Sequence, residues 1–374
     1  MNRFSISTRL LFALVLALTL HPRGVCSPQS DAAKPIRGEG VIDRVVSPGS
    51  EPVFRADGYT FRIVASTDVH FGKGLQALNE VETNTWAAFE GSPDNSGTIV
   101  ASKAVFIKQK PPRGKPDPNA VQVTAIPRGS KIDSYNGFTP HPKSFLPEDR
   151  GGWCGWYYIP DDPLQQDHVR ILGQRLIPQY QRDLPDGDPA KIPFRFYLVQ
   201  ETEIRSAIFC YNGLILIPSE VVSRLHNNDQ LAEVLAYGIA GAIQKQTAST
   251  HGINWKEFAE LMPGVALANI GGIIPLALGS AMETTAQYKI SRDLEHKIDR
   301  IALSYLADAG FDPHQAPEAW RVLAPETLPK NPLKLKYPEH SQYLQNFLKT
   351  QYNSTPGSKN AETNPATPAS PASP

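Results

Sequence analysis

Hydrophobic residues along this chain change their spacing from one stretch to the next, and each spacing predicts a different kind of element. From Tyr59 to Val64 and from Thr98 to Lys108 apolar and polar positions alternate with a period of two, the signature of strands with one buried face. Pro93-Asp-Asn-Ser-Gly97 supplies turn chemistry just before the second run, and Val121 to Ile126 alternates again beyond a Pro-rich stretch at 109–118, which predicts a long hairpin loop. Residues 41–127 are therefore expected to form a small antiparallel β-barrel or sandwich. From residue 162 onward the period lengthens to 3.6. Val169, Leu172 and Leu176 recur on one helical face behind Asp162, Pro163 and Gln165, which fit an N-cap, an N1 proline and an N3 glutamine. Leu231, Val234, Leu235, Ile239, Ala242 and Ile243 make a second apolar stripe at helical spacing. Strand-like runs at 193–199 and 207–216 predict a small sheet among these helices. The fold class predicted is α+β: a mainly helical domain with a small sheet, preceded by the small β module.

The first 27 residues have the order of a signal sequence: Arg3 and Arg9, an apolar run from Leu10 to Leu20 interrupted only at Thr19, then small residues at Gly24 to Ser27. That run is shorter than the roughly 20 residues a membrane span needs. Export to the periplasm or cell envelope is expected. A lipid on Cys26 stays open, although Arg23-Gly24-Val25 is a poor match to the small residues such a site shows. In an oxidising compartment Cys154 and Cys210 would form a disulfide or remain two buried thiols. Residues 28–40 read as a linker, 128–160 as a Gly/Pro/aromatic connector, 161–350 as the helical domain and 351–374 as a tail too poor in apolar residues to order itself. Lys+Arg and Asp+Glu balance at 37 each, so no net charge draws the 374-residue chain to nucleic acid or to an acidic membrane. The phrase AAFEGSPDNSGTIVASKAVFI resembles the small OB-like β-barrels of exported bacterial proteins. Barrels of that kind take oligomeric ligands, but the aromatic and basic clustering needed for nucleic acid is missing. Asp68 and His70 are expected to be an ordinary solvated pair rather than metal ligands.

Five blocks in order resemble the HtpX and CAAX-prenyl-protease type of zinc metallopeptidase. They are a helix ending ILGQRLIP, the strand PFRFYLV at 193–199, EIRSAIFCYNGLILIPSEVV at 203–222, NNDQLAEVLAYGIAGAIQKQ, and ISRDLEHKIDRIALSYLADAGFDP at 290–313. The resemblance covers roughly residues 160–350. In that family two histidines four residues apart on one helical face share a zinc ion, and the glutamate between them acts as general base toward the metal-bound water. A glutamate from a second helix completes the ligand set, and an aspartate one turn later supports it.

Carried onto this chain, the resemblance assigns Glu295 to the third-ligand position and Asp299 to the supporting aspartate. Tyr237 and Gly241 stand where the two histidines would be, and Gly238 where the base would be. One protein ligand out of three remains. No zinc or other cofactor is therefore expected, and catalysis by the family mechanism is expected to be absent. Tyr237 is expected to fill part of the vacated pocket and to place its hydroxyl within direct or one-water reach of Glu295. The two glycines would let another element approach the helix closely. Glu233, His226, His251 and His296 are the residues from which a rebuilt site would have to come, and all four are expected to be ordinary surface groups.

The resemblance further implies an exposed strand edge able to capture an extended polypeptide, carried by Ala207, Phe209, Gly213 and Leu214. His340 would help bind substrate in an active relative; a structural or surface role is expected here. Residues 261–282 carry no charge and are long enough to span a bilayer, so a membrane hairpin and a buried helical pair both fit, the buried pair better, and peripheral membrane contact stays open. The expected function is that of a catalytically silent scaffold or assembly factor of the envelope that binds unfolded or extended polypeptide. The alternatives are an active metalloendopeptidase with non-standard ligands and a wall- or lipid-binding protein led by the β module.

Overall fold

The computed structural model describes residues 35–72, 74–108, 131–133, 156–188, 190–200, 206–209, 213–249, 284–324 and 337–352. The expectations for the signal sequence, Cys26, Cys154, Cys210, the strand at 121–126, His251, the stretch 261–282 and the tail beyond 352 lie outside the described residues. The remaining chain reads as a β module followed by a mainly helical part with a small sheet, as its hydrophobic periodicities predict.

The β module begins earlier than expected. Strand β1 runs Ile36–Ser47, so it starts inside the stretch 28–40 read as linker. It is followed by β2 (Val53–Ala56), β3 (Tyr59–Arg62), β4 (Asp68–Phe71), β5 (Trp86–Pro93) and β6 (Ile99–Ile107). Register shifts at Ile42/Arg44 and Val45/Ser47 bend β1, so that its first half pairs with β5 and its second half with β2. Two residues of parallel pairing, Phe61 with Ile99 and Arg62 with Val100, join β3 to β6. The order β1-β2-β3-β6-β5 thereby closes on itself, and β4 extends the same edge of β6. Phe54, Phe61, Phe89 and Phe106 fill the interior, with Phe61 and Phe89 stacked at 4.2 Å between ring centroids. Asp68 and His70 form an exposed pair at 3.0 Å on β4. The connector contributes a two-strand ribbon, β7 (Lys131–Asp133) with β8 (Trp156–Tyr158).

In the helical part, α1 (Pro163–Leu176) starts at Asp162, whose side chain accepts from the Gln165 backbone N–H at 3.0 Å and from Gln165 Nε2 at 2.7 Å. After the short α2 (Gln179–Asp183) comes a three-stranded sheet in the order β10-β11-β9, formed by β9 (Arg195–Val199), β10 (Ile208–Phe209) and β11 (Leu214–Pro218). Strand β11 is parallel to β9 and antiparallel to β10. Gln166 of α1 closes one side of this sheet: its amide donates to the Phe196 carbonyl at 3.0 Å and accepts from the Leu198 N–H at 2.9 Å. Helices α3 (Ser219–Arg224), α4 (Asn228–Ser249), α5 (Thr284–Asp308), α6 (Ala316–Leu323) and α7 (Tyr337–Phe347) follow. Asn227 caps α4 by accepting from the Gln230 N–H at 2.9 Å, while Gln230 accepts from the His226 N–H at 2.9 Å. The apolar stripe of α4 is buried as predicted, and Ala232, Ala236 and Ala240 on its other faces are buried too. Covered on every side from Gln230 to Gln244, the helix occupies the middle of its domain.

Candidate functional site

The site assembles where α4, α5, α6 and α7 meet. From α4 comes Tyr237, from α5 Glu295 and Asp299, from α6 Trp320 and from α7 His340. The Tyr237 hydroxyl donates a short hydrogen bond to Glu295 Oε2, the contact its position predicts. His340 Nε2 lies 3.5 Å from the same carboxylate oxygen, and His340 Nδ1 lies 2.9 Å from both oxygens of the fully buried Asp299. The Trp320 indole stacks on the His340 ring at 4.6 Å, and Tyr237 stands edge-on to both, at 5.0 Å and 5.5 Å. His340 is 3% exposed, which excludes the surface role.

Glu233 lies one turn before Tyr237 and is completely buried, which corrects its expected place on the surface. Helix α4 is covered on all sides, so no position on it faces water at that level. Glu233 Oε1 accepts from Trp320 Nε1 at 3.1 Å, while Oε2 finds no hydrogen-bond partner among the described residues. Burial, reinforced by the nearby Asp299 carboxylate, lifts its carboxyl to about 8 against the pull of Trp320 and His340. Glu233 is therefore mainly protonated at neutral pH. Burial raises the Asp299 carboxyl, with His340 pulling it down. Burial also opposes a charge on His340, but Asp299, Glu295 and Glu233 together hold the imidazole above its ordinary value. His296 stacks on Tyr343 at 3.8 Å, and burial together with Arg292 and Arg300 depresses it to about 3, leaving a neutral ring. His226 is exposed beside the α4 cap, the surface place expected of it.

The glycines of α4 mark the close approach that was expected, and the β10-β11 hairpin makes it. A Cβ on Gly238 would lie 2.9 Å from Ala207 Cβ and 3.0 Å from Ile215 Cγ2. A Cβ on Gly241 would lie 2.5 Å from the Phe209 ring, which also packs edge-on against Tyr237 at 5.8 Å. Of the four residues assigned to a strand edge, Ala207 and Phe209 belong to the outer strand or its approach. Gly213 and Leu214 do not: Leu214 opens the central strand β11 opposite Arg195, and the Gly213 carbonyl accepts from the Arg195 N–H at 3.0 Å. Their backbone is used inside the sheet.

Residues 163–360 match the family model for peptidase family M48, more than half of the chain. The protein belongs to peptidase family M48. Among curated proteins it is similar to the putative beta-barrel assembly-enhancing protease of Vibrio cholerae serotype O1, 26% identical over 177 residues. The beta-barrel assembly-enhancing proteases of Yersinia pestis and Escherichia coli K12 are 28% and 27% identical over 177 and 168 residues. The matches cover 44% of this chain and 34% of the Vibrio and Yersinia proteins, and 42% and 32% for the Escherichia protein, so the chain spans about a third of the length of these relatives.

Within this M48 chain the donors of the resemblance's zinc set do not come together. Of its three ligand positions only Glu295 carries a donor of the expected kind, and that carboxylate is engaged by Tyr237 and faces His340. None of the nine histidines is followed by glutamate, so no His-Glu-x-x-His occurs anywhere in the sequence. Among the described residues no group of three or more His, Cys, Asp or Glu side chains is arranged to hold a metal ion. The space beside Gly241 that an imidazole would use holds the Phe209 ring. Sequence reasoning found Tyr237, Glu295 and Asp299, named Glu233 but placed it on the surface, and missed Trp320. Trp320 lies on α6, APEAWRVL, where a tryptophan among small residues was the signal available.

Proposed function

We propose that this M48 chain is a catalytically silent member of its family, held together at the former metal position by its own side chains and using the fold to bind polypeptide in the cell envelope. The observation that carries this is the Tyr237–Glu295 hydrogen bond beneath the Phe209 ring: the atoms a metal would need are committed to one another. No residue of the described site stands where a water could be activated by a general base in the family manner. Binding is supported by the sheet. Gln166 blocks its β9 side, so an added strand would have to join beyond β10. The names of the relatives, proteases that enhance β-barrel assembly, support an extended polypeptide as the class of client. Export and an envelope location follow from the signal-like N-terminus. Among the described residues no helix is long and apolar enough to cross a membrane. The five-stranded closure with one parallel pair supports the OB-like description of the β module.

The test measures zinc by elemental analysis on the purified full chain and turnover of unfolded casein with and without chelator. The expected result is substoichiometric zinc, no cleavage, and retention of the unfolded chain in a pull-down. Zinc near one equivalent with chelator-sensitive turnover would establish the active-peptidase alternative instead.

A further inference from the structure

Strands β2 and β3 present Phe54, Ala56 and Phe61 to the barrel interior, with Tyr59 on the same face against Phe89; their other face carries Arg55 and Thr60, and Asp57 stands in the turn between them. That outward face is not open. In barrels of the OB type it is the face that takes ligands; here its Arg55 is tied to Asp308 of α5, and Tyr59 at the end of the hairpin meets Phe347 of α7. Asp57 and Gly58 form the two-residue turn between the strands with φ of 57° and 72°, the left-handed conformation that Asp-Gly favours in tight hairpins. A Cβ on Gly58 would sit 2.5 Å from the Arg300 backbone carbon, so the turn tip touches the helix backbone itself.

Arg300 answers the turn with its whole guanidinium. Nη2 donates to Asp57 Oδ1 at 2.6 Å, Nε to the Asp57 carbonyl at 3.1 Å and Nη1 to the Tyr343 hydroxyl at 2.7 Å, while the group lies 4.8 Å over the Tyr59 ring. The two charged side chains are 12% and 5% exposed. Tyr59 in turn packs edge-on against Phe347 at 5.6 Å. Along the same face of α5, Asp308 binds Arg55 at 2.6 Å and 3.0 Å. Arg300 directly follows Asp299, and Tyr343 lies one helical turn after His340.

We infer that the barrel is an internal clamp: Asp57 is a positioning residue that, through Arg300 and Tyr343, fixes the spacing of α5 and α7 and so keeps His340 seated on Asp299. The contact is made by the turn of the β2-β3 hairpin and by Tyr59, and Arg55 on the outward barrel face meets α5 beside it. The clamp is independent of whether the site retains chemistry, because it acts on helix spacing. A pair buried to this degree is costly to break from one side, since the surviving charge has no water to turn to.

The test uses the full chain carrying 5-fluorotryptophan, with the Trp320 resonance assigned by Trp320→Phe. Trp320 stacks on His340, so its fluorine shift reports the seating of that ring. Asp57→Asn keeps a side chain that tolerates the left-handed turn and removes the charge; Tyr343→Phe removes the hydroxyl that holds Arg300 from the other side. Both are expected to move the Trp320 resonance in the folded protein, whereas Arg44→Ala, which removes an exposed contact to Asp308, leaves it in place. Calorimetry on the unmodified chain is expected to show the barrel and helices melting in one transition. If either folded variant leaves the Trp320 resonance where it was, or the barrel melts separately, the clamp is refuted.

Discussion

Replacing Tyr237 by phenylalanine removes a single hydroxyl from the centre of the site and little else. The ring keeps its edge-on contacts with Phe209, Trp320 and His340, so no apolar burial is lost. What disappears is the donor to Glu295. A hydrogen bond to a charged group contributes about 1.5–3 kcal/mol, and a carboxylate left without its donor in a buried place costs a similar amount. Two features place the effect in the lower part of that range: the Glu295 side chain is 15% exposed, and His340 Nε2 is 3.5 Å from the same oxygen. The expected loss is about 1.5–2 kcal/mol, or roughly 2–3 °C in Tm for a protein of this size. Urea denaturation of Tyr237→Phe, Glu295→Gln and the double variant completes a cycle that isolates the pair. Its coupling should be about 1 kcal/mol or more, in the range seen for side chains in direct contact. A coupling near zero, or a Tyr237→Phe variant as stable as the parent, would show that the hydroxyl does not hold Glu295 and that the site is built some other way.

Glu233 is raised to about 8 in the folded protein from an ordinary value of 4.5, so its contribution is fully present below 4.5 and is lost as pH rises toward 8. Glu233→Gln should flatten the fall in stability across that window, by on the order of 3 kcal/mol at pH 7, and parallel declines in parent and variant would contradict the assignment. Gly241→His should destabilise by about 1–3 kcal/mol because the Phe209 ring must leave, and Tyr237→His with Gly238→Glu and Gly241→His should gain no zinc until Phe209 is also truncated. Stoichiometric zinc in the triple variant with Phe209 intact would overturn that. Asp162→Ala should cost about 1 kcal/mol through loss of the α1 cap, measured by the same denaturation; an unchanged midpoint would mean that the helix start is fixed elsewhere.

Periodicity and a few short blocks determined much of this protein before any coordinate. Alternation at Tyr59–Val64 and Thr98–Lys108 was enough to place β3 and β6, because a strand with one buried face repeats every second residue whatever surrounds it. The cap at Asp162 and the apolar stripe of α4 are local in the same sense. Position along the matched blocks also brought Tyr237 to Glu295, since two helices of a known arrangement face each other at fixed residues. Tertiary structure alone decided what spacing cannot encode. Glu233 looks like a surface group in the chain, and His340 like a structural or a surface one, because polarity says nothing of how many helices will cover them. Gly213 and Leu214 look like an edge, but an edge exists only once neighbouring strands have paired, and β11 took the middle of the sheet. Residues 36–40 look like a linker because Arg37-Gly38-Glu39-Gly40 has little hydrophobic pattern; pairing with β5 supplies the strand from outside. The Asp57–Arg300 contact joins positions 243 residues apart, and only folding brings those two charges out of water together.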